Sequence, residues 1–338
     1  MTNLSSKPQA PIVSTRNVSV RFPVGRGRVL TAVDDVSIEI HRGETFGLIG
    51  ESGSGKSTIG RAIVCLERPS EGTILHDGRD PHALRASELR RHRRQYQIIF
   101  QDPNAALDPR MTILKSIREP LDVAGENSRA DRDQRARDLM NRVGLGEGFA
   151  DLYPHQLSGG QKQRACIARA LTVRPSLIVC DEAVAALDVS IQADILNLLA
   201  ELQQEFGLTY LFITHNIGVV EHISDTIAVM YLGQIIEIAP ADRLAEHFLH
   251  PYTQALLSAE PVALPSGVRP DHRIVLEGEL PSPMDPPTGC RFRTRCRFAT
   301  GICAAEAPKL RELAPDHQTA CHHAETFRLD PNLKEASR

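Results

Sequence analysis

The sequence lacks the features that mark membrane-spanning, secreted and nucleic-acid-binding proteins. No stretch approaches the roughly 18–20 uncharged apolar residues that cross a bilayer. The opening segment MTNLSSKPQAPIV has no apolar core of a signal peptide. The net charge is −3, so no overall positive field points to nucleic acid, and the arginines within residues 85–94 are typical of a solvated helix face. We therefore expect a cytosolic protein that binds no nucleic acid and reaches a membrane only through a partner.

Cysteine is sparse except beyond residue 289, where four of the seven lie, namely Cys290, Cys296, Cys303 and Cys321. In a reducing cytosol such a cluster favours metal binding over disulfides. The rest of the composition, with 41% apolar and 24% charged residues, is ordinary for a globular protein of one large or two ordinary domains.

The pattern along the chain predicts an α/β fold with several parts. Residues 1–11 are expected to form a disordered arm, and residues 12–258 the main domain. Alternation in the first thirty or so residues of this domain predicts antiparallel strands. Buried strands alternate with amphipathic helices further on, which predicts a mostly parallel sheet covered on both faces. A helical subdomain is expected at about 103–160, and residues 259–338, rich in proline and glycine, form a small irregular extension.

The segment Gly50–Ser57 matches the phosphate-binding loop pattern G-x-x-x-x-G-K-[ST] at every fixed position. Its members are Gly50, Glu51, Ser52, Gly53, Ser54, Gly55, Lys56 and Ser57. Glycines let backbone N–H groups turn toward phosphate oxygens, and the following helix adds its positive end. Lys56 would neutralise the β- and γ-phosphates and Ser57 would bind Mg²⁺, so we expect ATP binding and hydrolysis. The alternative is a glycine-rich connector without a ligand.

Three further polar groups are predicted to reach the same site from strand ends. Asp181 and Glu182 end the apolar run LIVCDE, where Asp181 would hold Mg²⁺ and Glu182 would activate the attacking water. His215 ends the strand TYLFITH and is expected to contact the γ-phosphate. The alternatives are a helix cap or solvated turn for the acidic pair and a structural role for the histidine. Gln101, in IIFQDP, also ends an apolar run, but by itself it would be a surface residue.

The segment Leu157–Gln161, in LSGGQKQR, resembles the signature of the ATP-binding-cassette (ABC) ATPases, and it stands between the phosphate loop and the acidic strand as in that family. Its members are Leu157, Ser158, Gly159, Gly160 and Gln161. Ser158 and the two glycines would open a helix and form a second anion site. Such a site makes sense if it closes over the ATP of another subunit. The resemblance implies that arrangement, with two cassettes enclosing two ATPs head to tail.

The same resemblance implies roles for other positions between about residues 14 and 250. The segment Gly50–Thr58, which is the phosphate loop with Thr58 added, resembles the Walker A loop. Gln101 resembles the Q-loop glutamine, which lies with Ser57 and Asp181 around Mg²⁺. Glu182 corresponds to the catalytic glutamate, His215 to the switch histidine and Asp188 to the D-loop. Phe22 stands where the family stacks an aromatic ring on adenine, although it could equally belong to the core. Ala183 replaces a frequent proline and is expected to loosen the turn slightly.

The tail narrows the resemblance to the dipeptide, oligopeptide and nickel importer ATPases. The motifs HPYTQALLSAEP, LEGELPSP and GCRFRTRC look like the C-terminal extension of that subfamily. The resemblance implies an ATPase subunit of a bacterial importer at the cytoplasmic face of the membrane. Its partners would be a second ATPase, either a paralogue or another copy of the chain, two transmembrane permeases and, indirectly, an extracytoplasmic solute-binding protein. Peptides are the expected solute, with nickel or another small solute as the alternative.

The cysteine spacing matches neither the tight pairs of zinc sites nor common ferredoxins, so it indicates only four thiolates around one metal centre. The subfamily resemblance implies a [4Fe-4S] cluster, and Zn²⁺ or metal-free thiols are the alternatives. His322 and His323 could replace a thiolate. The expected role is structural stabilisation of the extension rather than electron transfer.

Two other functions compete with transport. A soluble cassette ATPase of translation or DNA repair is one, but the chain contains a single phosphate loop and no sustained heptad run. A cassette that only binds ATP as a regulator is the other, and the presence of Glu182, His215 and the complete signature argues against it.

Overall fold

The computed structural model describes residues 10–25, 27–125, 128–185, 187–259, 274–276 and 278–329. Most of the expected N-terminal arm, residues 1–9, lies outside this described part. No helix within the described ranges combines the length and apolar character needed to cross a membrane.

The described residues contain strands and helices in alternation. The strands are β1 (Val13–Pro23), β2 (Val29–Val36), β3 (Glu39–Ile40), β4 (Thr45–Ile49), β5 (Glu71–His76), β6 (Tyr96–Ile99), β7 (Leu177–Asp181), β8 (Thr209–Thr214), β9 (Thr226–Tyr231), β10 (Gln234–Pro240), β11 (Arg311–Ala314) and β12 (His317–Thr319). The helices are α1 (Lys56–Ile63), α2 (Ala86–His92), α3 (Pro103–Ala106), α4 (Ile113–Ala124), α5 (Arg129–Arg142), α6 (Gly159–Leu171), α7 (Val189–Phe206), α8 (Ile217–Ile223), α9 (Ala241–Glu246), α10 (Pro251–Ser258), α11 (Gly301–Ala305) and α12 (Ala324–Leu329).

These strands form two sheets. The smaller sheet is antiparallel, with β1 pairing with β2, β3 and β5, as the N-terminal alternation predicts. The larger sheet has the order β11-β12-β10-β9-β4-β8-β7-β6. Strands β9, β4, β8, β7 and β6 are parallel, and β10, β12 and β11 extend the sheet with antiparallel pairs.

The parallel strands are buried on both faces, which is why they consist of nearly continuous apolar runs. In β8, Tyr210 and Phe212 face one core cluster and Leu211 and Ile213 the other. The first cluster continues into the helical insert, the helices α3 to α6 between β6 and β7, where α4, α5 and α6 contribute apolar side chains. The second fills the space between the parallel sheet, α1 and the antiparallel sheet.

The helix boundaries follow local capping. Ser128 caps α5, with its Oγ accepting a hydrogen bond from the N–H of Asp131, and the N–H of Ser128 donates in turn to the carboxylate of Asp131. Helix α7 ends at Gly207, which adopts the left-handed conformation with φ 64° that glycine tolerates best.

The C-terminal extension is joined to the main domain by a buried contact that the sequence did not indicate. Strand β12 pairs with β10 at the sheet edge. His317 lies 2.8 Å from the fully buried carboxylate of Glu237, measured from Nε2 to Oε1. That carboxylate also accepts the backbone N–H of His250 at 3.1 Å. The extension therefore packs on the domain as a continuation of its sheet.

Candidate active site

Four neighbouring parallel strands bring the predicted site residues to one edge of the sheet. Strand β4 leads into the loop at Gly50, β7 ends at Asp181, β8 ends one residue before His215, and β6 ends two residues before Gln101. Because the carboxyl ends of parallel strands share an edge, residues far apart in sequence converge there.

The phosphate loop needs glycine at two positions for steric reasons. At Gly50, with φ 153°, an added Cβ would lie 2.2 Å from the carbonyl oxygen of Met230. At Gly55, with φ 105°, it would lie 2.1 Å from the carbonyl oxygen of Ala32. The loop thus lies between β2 and the end of β9, and α1 begins at its last two residues, Lys56 and Ser57.

Lys56 lies inside this loop. Its Nζ donates hydrogen bonds to the carbonyl oxygens of Gly50 and Glu51, both at 2.8 Å, and to Ser54 Oγ at 3.3 Å. Burial lowers the pKa of Lys56, while the carboxylates of Glu182 and two other acidic residues oppose the shift. A buried ammonium group held by the loop itself is suited to meeting the negative charge of a phosphate.

Ser57 and Asp181 are in direct contact. The Ser57 hydroxyl donates to Oδ1 of Asp181 at 2.6 Å. Burial raises the pKa of Asp181, and the bond from Ser57 together with the nearby Arg61 opposes that rise. Two oxygen ligands on adjacent elements are the donor type that Mg²⁺ prefers, so the residues present fit the expected metal.

Glu182 is the centre of a second polar group. Its carboxylate accepts the side-chain amide of Gln101 at 2.7 Å and lies 3.3 Å from Nδ1 of His215. Glu182 itself has φ +50°, a left-handed conformation that is uncommon for a residue with a side chain. Its N–H is fixed by a 2.9 Å bond to the carbonyl of Ile213. The structure therefore brings together the three side chains for which the sequence predicts catalytic roles.

The turn after Glu182 leads to the predicted D-loop. Ala183 is buried, and the N–H of Ala185 bonds the carbonyl of Glu182 at 3.1 Å. Asp188 is exposed at the start of α7, and the next side chain, Val189, is 83% exposed. An apolar side chain this exposed, beside the predicted D-loop, is available to a partner.

The signature residues form a capped helix start. Ser158 Oγ accepts the N–H of Gln161 at 3.3 Å, and Gln161 Oε1 accepts the N–H of Ser158 at 2.9 Å. Gly160 is packed so tightly that an added Cβ would lie 2.7 Å from Ile191 Cγ2. Leu157 is buried, whereas Ser158 and Gly159 are exposed. No hydrogen bond among the described residues joins this segment to the phosphate loop of the same chain.

The remaining predicted nucleotide residues lie around these groups. Ser52 and Gly53 are exposed at the tip of the loop, and Thr58 is half-buried in the first turn of α1. Phe22 pairs with Leu30 across the antiparallel sheet and packs, partly buried, against the second core cluster. Its stacking on adenine stays a prediction.

All seven cysteines lie in the described part, and each is a free thiol. Burial raises the pKa of Cys321 to about 12, and Cys290, Cys296 and Cys303 raise it by smaller amounts, so these three thiols lie within electrostatic reach of Cys321. However, no group of three or more His, Cys, Asp or Glu side chains among the described residues is arranged to hold a metal ion. The predicted iron–sulfur or zinc centre is therefore not supported by this arrangement. The alternative ligand His323 lies 3.6 Å from Cys303, between Nε2 and Sγ.

Sequence reasoning missed two residues that contact the phosphate loop from the C-terminal side. Tyr252 accepts the N–H of Glu51 at 2.8 Å through its hydroxyl. Arg295 donates two hydrogen bonds to the Glu51 carboxylate. Both residues occur in motifs that carried the family resemblance, but neither spacing nor residue type indicated that they reach the loop.

Comparison with known proteins agrees with this geometry. The family model described as "ABC transporter" matches residues 33–185, and that described as "Oligopeptide/dipeptide transporter, C-terminal region" matches residues 236–303. The oligopeptide transport ATP-binding protein AppF of Bacillus subtilis is 48% identical over 326 residues, covering 94% of this chain and 99% of that protein. The chain belongs to the ABC transporter ATP-binding proteins. It is accordingly an ABC-type ATPase.

Solved structures of ABC cassettes match the fold. A dimeric structure of the ATP-binding cassette MJ0796 in a post-hydrolysis state, bound to ADP and Pi, has a TM-score of 0.62 and 34% identity over 68% of this chain and 98% of that chain. The cassette cbiO1 of Clostridium perfringens, part of an ABC transporter complex, has a TM-score of 0.62 and 28% identity over 70% of this chain and 91% of that chain. The predicted cassette fold is confirmed.

Proposed function

We propose that the chain is the ATP-hydrolysing, energy-coupling subunit of a bacterial importer of dipeptides or oligopeptides. The observation that carries this proposal is the presence of both family matches on one chain, since a cassette with an oligopeptide-transporter C-terminal region is expected to serve that transport. The oligopeptide transport name of the AppF relative supports the same solute class. Nickel or another small solute is the alternative, because specificity would reside in other subunits.

The residues divide the work of hydrolysis. When bound, Mg²⁺ would offset the charge of the β- and γ-phosphates, with Ser57, Asp181 and Gln101 as the residues around it. Lys56 and the loop N–H groups bind the phosphates. Glu182 accepts the proton of the attacking water as general base. The amide of Gln101, 2.7 Å from the carboxylate of Glu182, orients that carboxylate, and His215, whose Nδ1 lies 3.3 Å from the same carboxylate, contacts the γ-phosphate.

We further propose that two cassettes close head to tail, so that Ser158 and Gly159 of one subunit meet the ATP held by Gly50–Ser57 of the other. The exposure of both signature residues and of Val189 beside Asp188 supports such an interface. The dimeric form of the related cassette MJ0796 supports it as well. Whether the second cassette is a paralogue or another copy, each site would combine two chains.

The proposed permease contact lies beside the Q-loop. A cavity of about 260 Å³ opens between β6 and the helical insert, lined among others by Phe100, Ala106, Pro120 and Cys166. Phe100 is 37% exposed and directly precedes Gln101. A cytoplasmic helix of a permease seated here would reach Glu182 through Gln101. This contact would hold the subunit at the cytoplasmic face of the membrane, where a solute-binding protein delivers its cargo from the other side.

We also propose that the four cysteines beyond residue 289 bind a [4Fe-4S] cluster, with Zn²⁺ as the alternative. All four are free thiols, and the other three raise the pKa of Cys321, which supports one centre. A four-iron cluster takes one thiolate at each iron, so its ligands lie further apart than those of a zinc ion, which holds each sulfur at about 2.3 Å. The iron, sulfide and zinc contents of anaerobically purified Cys303→Ser would be compared with those of Cys65→Ser. A folded extension free of metal in the parent protein contradicts the proposal.

The transport proposal is tested by purification from the native membrane. We expect the chain to co-purify with two integral-membrane proteins and a second cassette, and the reconstituted complex to take up peptide only with ATP. Glu182→Gln should abolish uptake while leaving the complex intact. Stable isolation on ribosomes instead would favour a soluble translation ATPase, and ATP binding without turnover in the complete complex would favour a regulatory cassette.

A further inference from the structure

The segment between Cys290 and Cys296 reaches the phosphate loop. Arg295 donates from Nη1 to Oε2 of Glu51 at 2.8 Å and from Nη2 to Oε1 at 3.1 Å. The arginine side chain is 9% exposed and the glutamate side chain 29%. Two parallel charge-assisted hydrogen bonds fix the relative orientation of the two side chains as well as the distance between them. Partial burial reduces the screening of this ion pair by salt.

Glu51 has each of its hydrogen-bonding groups engaged. Its N–H donates to the Tyr252 hydroxyl at 2.8 Å, and its carbonyl accepts Lys56 Nζ at 2.8 Å and the N–H of Ser54 at 3.2 Å. Its carboxylate is held by Arg295. A residue from the extension and a residue from α10 therefore fix the position of the loop residue that binds the phosphate-contacting lysine.

The backbone of Arg295 is itself held by a hydrogen bond. The backbone N–H of Arg295 donates to the carbonyl of Phe292 at 3.0 Å. The Phe292 ring is 2% exposed and packs edge-on against Tyr231 and Tyr252, with ring centroids 5.3 Å and 5.5 Å apart. The aromatic packing of Phe292 and this backbone hydrogen bond thus position the backbone from which the Arg295 side chain extends to Glu51.

Attachment of the extension does not require this contact. The β12–β10 pairing and the buried His317–Glu237 pair already join the extension to the sheet. Arg291 adds an ion pair with Asp34 of β2. The Arg295 contact, in contrast, reaches the phosphate loop at Glu51.

We infer that Arg295 is a positioning residue of the ATP site, which acts through Glu51 to hold the phosphate loop and Lys56 in the conformation that binds nucleotide. The C-terminal extension is thereby part of the support of the ATP site. The inference rests on Gly50–Ser57 being the ATP-binding loop. Lys56→Ala tests that assignment separately, so a failure of the assignment can be distinguished from a failure of the inference about Arg295.

The first test compares Arg295→Ala with Arg297→Ala in the full chain. Arg297 lies two residues away, but its guanidinium stacks 4.7 Å from the Phe298 ring centroid and reaches Gln254 rather than the loop. The binding of Mg²⁺ and the non-hydrolysable analogue AMP-PNP is measured by calorimetry. We expect Arg295→Ala to raise the Kd about tenfold, equivalent to about 1.4 kcal/mol. KM for ATP should rise in parallel, kcat at saturating ATP should change less than KM, and Arg297→Ala should change the Kd less than twofold.

The second test is a double-mutant cycle with Glu51→Ala, which removes both acceptor oxygens. If Arg295 acts through Glu51, adding Arg295→Ala to Glu51→Ala should change the Kd by less than about twofold, because the contact is already lost. Arg295→Lys, which keeps the charge but not the paired geometry, should recover part of the affinity. It also provides the measurement if the alanine variant does not fold. Any of three results would overturn the inference. The effects of the two substitutions on the Kd could be additive, the Kd could be unchanged in both Arg295→Lys and Arg295→Ala, or Arg297→Ala could lose as much affinity as Arg295→Ala.

Discussion

The side-chain amide of Gln101 and the carboxylate of Glu182 are joined by a 2.7 Å hydrogen bond between β6 and β7. Gln101 directly precedes the helical insert, whereas Glu182 is the proposed general base. The bond therefore links the part of the molecule proposed to face the permease with the group proposed to activate water. A displacement of the insert that moved Gln101 would therefore alter a hydrogen bond of the proposed base.

Replacement of Gln101 tests this link. Gln101→Ala should lower kcat about tenfold because Glu182 loses its orienting donor, with a smaller effect on KM. Gln97→Ala on the same strand, whose amide bonds the backbone of Arg93 instead, is the matched control. Steady-state ATP hydrolysis measures both. Equal effects of the two variants would count against the link.

Glu182→Gln removes the proposed base while keeping the shape of the side chain. Turnover should fall by about 10²–10⁴-fold, the range that general-base catalysis supplies. ATP binding should remain, and the closed dimer should accumulate on size-exclusion chromatography. Glu201→Gln on the exposed face of α7 should behave like the parent. A normal rate of hydrolysis in Glu182→Gln would mean that another group is the base.

A mixture of two inactive variants tests the head-to-tail dimer. Lys56→Ala should lose nucleotide binding, and Gly159→Asp should keep binding but lose turnover. The Gly159 site has room for a side chain, since an added Cβ meets only Leu187 Cδ2 at 3.4 Å. In a mixed dimer, one site combines an intact loop with an intact signature. Randomly mixed symmetric dimers should recover about one quarter of the parent ATPase activity. No recovery, with dimers present, would argue that each site lies within one chain.

The stability of the protein should fall in acid because of a buried histidine. Burial lowers the pKa of His250 to about 3, and its Nδ1 accepts the N–H of Tyr252 at 3.0 Å as the cap of α10. The unfolded chain, with an ordinary histidine pKa of about 6.5, binds this proton first. The stabilisation is therefore complete above pH 6.5 and lost as the pH falls toward 3.

His250→Asn keeps a cap acceptor but does not titrate. Urea unfolding between pH 7.5 and 4 should show a shallower loss of stability for this variant, by up to about 1.4 kcal/mol per pH unit for one proton. Glu237 and His317, which face the same region, remain in both proteins. Identical pH slopes for parent and variant would contradict the prediction.

The sequence predicted the parts of the site whose chemistry is local. A phosphate loop after a buried strand, the acidic pair ending LIVCDE and the histidine ending TYLFITH each combine a motif with a strand end. Because parallel strands share their carboxyl edge, these local patterns were enough to predict that Lys56, Asp181, Glu182 and His215 meet. The family resemblance added Gln101, which the residue alone did not indicate.

The contacts made by the extension were not predictable in this way. Arg295 and Glu51 are 244 residues apart, and His317 and Glu237 are 80 apart. In neither pair does the periodicity or spacing around one residue predict the other, since each contact depends on how the extension packs after the sheet has formed. The cysteine spacing likewise indicated a cluster of thiols but not the distances between them.

The contact between Arg295 and Glu51 has a consequence for protein synthesis. A ribosome adds about 5–20 residues per second, so roughly 10–50 s separate the translation of the phosphate loop from that of its arginine. During that time the loop and α1 emerge and can begin to fold without this support. The nascent cassette should therefore bind ATP about tenfold more weakly until the extension has been translated and packed.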